Sequence, residues 1–232
     1  MAGPTDPNPQ PRLPLSRERV LRGAVEVADQ VGIESLTMRR LGQHLGVEAM
    51  SLYKHVANKD EILDGIVDIV IGEIDLPSAR ADWRTAMRQR AISARRVLAS
   101  HPWAIGMMES RSTMGPAAMR YVDAVIGSLR AGGFSIEMAA HAFLLLDSYI
   151  YGFVVQAMGF SLDSPASPGE VAEATLQALL ANQFPHLTEM AAEYVTKPGY
   201  DYNDEFDFGL DLILNGLDAG DADRALRRRR DR

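Results

Sequence analysis

A chain of 232 residues can form one large domain or a small one joined to a medium one. Apolar residues make up 47% and charged residues 24%, and no run of about 18 uninterrupted apolar residues occurs, which argues for a soluble globular protein over a membrane one. The absence of cysteine excludes disulfides, thiolate chemistry and the usual structural zinc sites, and the net charge of −7 excludes a surface that is basic throughout.

The charge is unevenly divided. Residues 1–60 hold eight Lys/Arg against seven Asp/Glu, residues 61–220 ten against twenty-one, and residues 221–232 six against three. A near-neutral N-terminal part can bind DNA if its cations share a face, and an acidic body is repelled from phosphates.

Residues 1–14 carry Pro4, Pro7, Pro9, Pro11 and Pro14 where a signal peptide would be basic and then apolar, so a disordered leader on a cytoplasmic protein is expected. Val20, Leu21, Ala24, Val27, Ala28 and Val31 then recur at helical spacing between a capping Ser16 and a closing Gly32. Thr37 to Gly46 predicts a helix of barely two turns, with Leu41 and Leu45 four residues apart. Val47 to Val56 predicts a second short helix that turns Val47, Leu52 and Val56 inward. Asn58 and Glu61 form a capping box for the next helix, whose apolar stripe is Ile62, Ile66, Val67, Val70 and Ile74 and which Pro77 ends.

Further helices are expected near 82–100, 103–109, 115–131, 135–157, 169–182, 186–195 and 203–219, with breaks at Gly132-Gly133 and between Gly159 and Gly169. The longest apolar patch, Phe143 to Val155, is interrupted by a single charge, Asp147. Residues 221–232 read as a basic, solvated tail.

Two short helices joined by a glycine turn and braced by a longer one make a helix-turn-helix. Eight residues from Glu48 to His55 span roughly 12 Å at about 1.5 Å per residue, and the major groove of B-DNA is about 12 Å wide. The outward set is Glu48, Ala49, Met50, Ser51, Lys54 and His55, with Tyr53 beside it. Thr37, Tyr53, His55 and Lys59 suit phosphate oxygens, Arg39 can bridge to guanine, and Ala49, Met50 and Ser51 can read a thymine methyl or offer one hydroxyl contact. Many proteins that never touch DNA carry such a helix pair, so spacing alone leaves both readings open.

Leu36-Thr37-Met38-Arg39-Arg40-Leu41-Gly42, then Leu45-Gly46-Val47, then Ser51-Leu52-Tyr53-Lys54-His55-Val56-Ala57-Asn58-Lys59 resembles the DNA-binding head of the TetR family. The resemblance implies that Thr37, Arg39, Ser51, Tyr53, His55 and Lys59 stand at positions used on DNA, while Ala49 and Met50 replace a Gln and a Pro of the family's namesake and make the operator a different one.

A fainter match through Trp83, Ser100-His101, Gly133-Phe134-Ser135 and Gly152 is similar to the tetracycline-repressor-like branch. It implies that Ser135 to Gln156 and Asn203 to Ala219 dimerise as a four-helix bundle, and their apolar Phe143, Leu144, Phe208 and Leu217 agree with that. Both helices could equally be ordinary core.

Met107, Met108, Met114, Met119, Trp103, Met138 and Met158 could line an adaptable effector pocket or simply fill a core. By resemblance the pocket takes in Arg90, Met108, Arg111, Phe143 and Gln156, with Arg90 or Arg111 anchoring an anionic or carbonyl-bearing ligand. Met108 and Gln156 stand where the namesake brings a His and a Glu toward the drug's magnesium. A thioether is too soft for that ion and an amide lacks charge, so the effector here is expected to be metal-independent.

The histidines at 44, 55, 101, 141 and 186 show no metal-binding spacing, and neither a Gly-x-Ser-x-Gly elbow nor a phosphate-cradling loop occurs. No metal, cofactor or catalytic role is expected, and the chain is read as a non-enzyme.

The expected fold is all-α: a disordered leader (1–14), a three-helix helix-turn-helix head (15–60), a helical ligand-binding and dimerisation domain (61–220) and a basic tail (221–232). The expected function is a ligand-responsive transcriptional regulator, a homodimeric repressor released from a palindromic operator by a small organic molecule. The alternative is a dimeric small-molecule-binding module that no longer binds DNA, and exposure of Tyr53, His55 and Lys59 separates the two.

Overall fold

In the computed structural model, residues 14–111, 113–162 and 184–217 are described. The leader through residue 13, the helix expected at 169–182 and the basic tail lie outside them.

Helix α1 (Arg17–Val31) starts where the Ser16 hydroxyl accepts the Arg19 N–H at 3.2 Å and ends at Gly32. A turn of 3₁₀ helix (Ile33–Ser35) leads to α2 (Met38–Leu45), capped by the Thr37 hydroxyl, which accepts the Arg40 N–H at 3.1 Å. Gly46 closes α2 at φ +68°, and the Val47 and Gly46 N–H groups donate back to Gly42 and Gln43 in a Schellman motif. A side chain at Gly42 would meet the Val47 carbonyl at 2.9 Å and the Ala49 nitrogen at 3.1 Å, so glycine there lets α3 (Ala49–Leu52) cross close over α2.

Helix α4 (Lys59–Gly72) begins at Asn58, whose side chain accepts the Glu61 N–H at 2.8 Å, while the Glu61 carboxylate accepts the Ala57 N–H at 2.7 Å and the Arg17 side chain of α1 at 3.0 Å. Those contacts, the Ala57 N–H first, hold the Glu61 carboxyl below its usual range.

The body comprises α5 (Trp83–Ser100), α6 (Ala104–Ser110), α7 (Pro116–Ala131), α8 (Ile136–Leu162), α9 (Pro185–Met190) with a π turn (Ala191–Val195) after it, and α10 (Tyr202–Gly216). No strand occurs among the described residues. Helix α5 lies along α8, and α4 lies against both α1 and α7.

Helix α8 is apolar enough over Ile136–Gly159 to cross a membrane by length and composition, with mean hydropathy 1.5. Its apolarity has another source, because it carries two apolar faces. Ala142, Leu146, Ile150 and Val154 enter the core, while Leu144, Leu145 and Val155 are exposed. Helix α10 repeats the arrangement, burying Phe206, Leu210 and Leu214 and exposing Phe208 and Leu212. The two helices are tied where the Tyr149 hydroxyl meets the carbonyls of Glu205 and Phe206 at 3.1 and 3.0 Å, over Gly209.

Two apolar cores result. One joins Val20, Ala24, Leu41, Leu52 and Val56 with Ile62 and Ile66 of α4. The other starts one residue later on the same helix, at Val67, Val70, Ile71 and Ile74, and runs through α5, α7, α8 and α10. The head thus extends past residue 60 into α4, which belongs to both halves.

Candidate functional site

The candidate DNA-contact residues of the head lie at the start of α2, along α3 and the turn after it, and at the start of α4. Thr37 and Arg39 line a shallow groove with Ser35, Arg40 and Gln43, and both are exposed. Because Thr37 caps α2, its hydroxyl oxygen is occupied by the Arg40 N–H, which leaves its hydrogen to donate outward. Met50 is 74% exposed, Tyr53, Lys54 and Lys59 are exposed, and Ala49, Ser51 and His55 are half-buried.

The element carrying these residues departs from expectation. The eight-residue helix from Glu48 to His55 is α-helical only over Ala49–Leu52. Its far end is a tight turn in which the Lys54 and His55 N–H groups reach back three residues, to Ser51 at 3.4 Å and Leu52 at 2.9 Å. Glu48 offers α3 no side-chain cap, and the buried Leu52 and Val56 hold the turn from inside.

Where head and body meet, four side chains converge. His101, at the end of α5, places Nδ1 2.8 Å from Asp29 of α1 and Nε2 3.1 Å from Glu73 after α4. The Trp103 indole N–H donates to the same Asp29 oxygen at 2.7 Å, and its ring packs against both cores. Burial disfavours the imidazolium, but the two carboxylates outweigh it and hold His101 above its usual pKa.

Between α4, α6, α7 and α8 lies a cavity of about 480 Å³. Helix α4 contributes Asp64, Val67, Asp68 and Ile71, α6 Met108 and Glu109, α7 Ala118, Tyr121 and Val122, and α8 Phe143, Leu144, Asp147, Ser148 and Tyr151. The segment before α7 adds Arg111, Thr113, Met114 and Gly115. Asp68 accepts the Ala117 and Ala118 N–H groups at 3.2 and 2.9 Å, clamping the start of α7 onto α4.

Behind the wall, Arg90 is 1% exposed and its guanidinium binds Asp147 and the Tyr121 hydroxyl. The Tyr151 hydroxyl donates to the other Asp147 oxygen at 3.4 Å. Burial, more than any neighbour, pushes the Asp147 carboxyl and both phenols upward in pKa, and Arg90 stays charged.

Of the five expected pocket residues, Met108, Arg111 and Phe143 line this cavity. Two corrections follow. Gln156 is exposed and outside it, because nine residues at about 100° each place it on the opposite side of α8 from Asp147. Arg90 does not line the cavity and is held by Asp147 and the Tyr121 hydroxyl, with its Nη1 left without a partner among the described residues, while Arg111 lines the cavity but is held by Asp64 and Asp60. Among the methionines, Met114 also lines the cavity, Met138 is core and Met119 is exposed.

The acidic lining and the His101 joint escaped sequence reasoning, since their partners lie dozens of residues apart. The one signal was the lone Asp147 inside an apolar run.

Fold and head together define a helix-turn-helix regulator, whose body encloses a cavity. Residues 20–66 match the model of bacterial regulatory proteins of the tetR family, and residues 76–220 match the tetracyclin repressor-like C-terminal domain. The chain therefore belongs to the TetR family, as a ligand-responsive DNA-binding transcriptional repressor.

It is 30% identical over 222 residues to the HTH-type transcriptional repressor DrrR1 of Streptomyces coeruleorubidus, covering 91% of this chain and 80% of that one. It is 31% identical to the class C tetracycline repressor protein of Escherichia coli, covering 88% and 91%. Apo ActR of Streptomyces coelicolor superposes with a TM-score of 0.74 at 29% identity over 91% of this chain and 99% of that one, and ActR is also solved in complex with actinorhodin.

Proposed function

We propose that the chain acts as a homodimer whose two heads grip the half-sites of a palindromic operator, and that a small organic molecule filling the α4–α6–α7–α8 cavity releases them. The observation that carries this is the double membership of α4: Ile62 and Ile66 anchor the head core, while Asp64, Val67, Asp68 and Ile71 form one wall of the cavity. A ligand that shifts this wall shifts the head. Two heads bound one DNA turn apart, about 34–36 Å, lose register when their α4 helices move. Driving the switch nearly to completion takes about 5.5 kcal/mol of preference for the released state.

On DNA, Arg39 reads a base edge, Ala49, Met50 and Ser51 face the groove floor, and Thr37, Tyr53, Lys54, His55 and Lys59 hold phosphates. The exposure of Thr37, Arg39, Met50, Tyr53, Lys54 and Lys59 supports this reading, and Ala49, Ser51 and His55 are half-buried beside them in the chain. The second copy docks on the outer faces of α8 and α10, where exposed Leu144, Leu145, Val155, Phe208 and Leu212 offer apolar surface and the open space over Gly152 admits a neighbouring helix. The effector is read as metal-independent, because the two positions that correspond to the namesake's metal-facing His and Glu are Met108, a poor magnesium ligand, and Gln156, which lies outside the cavity.

The test is operator release. The intact protein, bound to a palindromic fragment from the DNA flanking its gene, is titrated with organic compounds in EDTA and followed by fluorescence anisotropy. Release is expected from the wild type and is lost in Val122→Trp, which fills the cavity, while operator affinity is kept. Release that requires magnesium, or survives Val122→Trp, overturns the reading. Phe208→Glu is expected to give monomers in sedimentation and to abolish tight operator binding.

A further inference from the structure

The charged side chains lining the cavity are Asp64, Asp68, Glu109, Asp147 and Arg111. Arg111 is held by Asp64 and by Asp60 outside the cavity, and Arg90, behind the wall, is committed to Asp147. Asp68 faces no side-chain cation and is satisfied by two backbone N–H groups at the start of α7. Glu109 is exposed and has no cationic partner among the described residues. Among the described residues, even with the hidden arginine counted, the carboxylates outnumber the cations by two.

The apolar part of the lining has a matching character. Tyr121, Phe143 and Tyr151 all present rings to the cavity. Two of these rings already host a cation, the Arg90 guanidinium lying 4.9 Å from the Tyr121 centroid and 5.7 Å from that of Phe143. Aromatic faces beside unneutralised carboxylates are the surroundings in which an organic cation is stabilised. Among the described residues, an anion entering the same space meets four carboxylates and one lining cation, Arg111, already held by Asp64 and Asp60.

We propose that the effector is an organic cation, an amine or ammonium group carried on a flat apolar frame, with the frame against the three rings and the positive charge toward Glu109. The assignment rests on the cavity being the effector site, and it reverses the expectation that an arginine would select an anionic ligand. The Glu109 charge bears on Asp147, adding to burial in raising that carboxyl, so a cation placed beside Glu109 relieves repulsion between the two.

The experiment compares two dyes of one xanthene frame and opposite charge, rhodamine 6G and fluorescein, by anisotropy with the intact protein at neutral pH. Rhodamine 6G is expected to bind at least about tenfold tighter, and Glu109→Gln to weaken it about fivefold, the effect of one well-placed ion pair. Glu109 is exposed, so this substitution leaves the fold intact. Equal or tighter binding of fluorescein, or no effect of Glu109→Gln, overturns the charge assignment and leaves the cavity reading standing. Rhodamine binding that survives Val122→Trp places the dye elsewhere and also overturns the assignment. If neither dye binds, the cavity reading fails and the assignment fails with it.

Discussion

The core of the head closes over aliphatic side chains alone, from Val20 and Leu41 to Leu52 and Ile66, and the charges of α1 to α3 stay outside it. The core of the body closes over Arg90, Asp147 and His101 and leaves Leu144, Leu145, Phe208 and Leu212 in the open. The difference follows from what each half must meet. DNA demands a polar exterior, and a small rigid core is enough to present one. A ligand and a second copy of the chain demand polar groups inside and apolar ones outside, which is stable only when every buried charge is partnered.

The comparison breaks most visibly if the buried ions are disturbed. Asp147→Leu leaves Arg90 charged with only the Tyr121 hydroxyl as partner in an apolar interior and is expected to cost about 3–5 kcal/mol in urea denaturation, with most of the loss recovered by adding Arg90→Met. No single charge removal in the head should approach this, and a head variant that does would end the contrast.

Next in size is a steric change in the head. Gly42→Ala drives a methyl into the Val47 carbonyl and the Ala49 nitrogen, both backbone, so neither can swing aside. A loss of about 1–3 kcal/mol is expected, together with weakened operator binding, while dye binding to the body stays unchanged. Equal damage to both activities would show that the two cores do not respond separately.

On DNA the effects divide by role. Arg39→Ala is expected to cost about 1–3 kcal/mol and to relax preference at one position per half-site. Lys59→Ala is expected to weaken all sequences alike and to lower the salt dependence by about one phosphate contact. A substitution scan of the operator in two salt concentrations separates them.

The smallest effect concerns the joint. His101 titrates above its ordinary value in the folded chain because Asp29 and Glu73 hold its proton against burial. Its contribution is therefore complete below about pH 6.5, the ordinary histidine value, and is lost as pH rises through the folded value. The unfolding midpoint of the wild type should fall over that interval relative to His101→Gln. A parallel pair of pH profiles would refute the contribution.

Most helices were legible because each carries its own evidence: the caps at Ser16, Thr37 and Asn58, the stop at Gly46, and apolar stripes spaced by the helical period. What could not be read depends on distance in the chain. Arg90 and Asp147 are 57 residues apart and Asp29 and His101 are 72 apart, and apart from Asp147, alone in its apolar run, each looks like an ordinary surface charge in its local context. The loosened end of α3 was missed because periodicity counts positions and cannot tell an α turn from the tighter one that Leu52 and Val56 also satisfy. Gln156 was misplaced by carrying a position across from the resemblance, without asking which side of α8 it occupies.

The chain has two tryptophans, and their surroundings differ. Trp83 is packed edge-on against Phe134 at 4.8 Å, inside the body. Trp103 touches both cores, shares Asp29 with His101, and lies 6.1 Å from the imidazole ring. An imidazolium quenches a neighbouring indole, so the emission of Trp103 depends on the distance and protonation of His101. The molecule thus contains its own optical gauge at the seam between head and body, and with Trp83 replaced by Phe, motion of one half against the other can be followed in unlabelled protein.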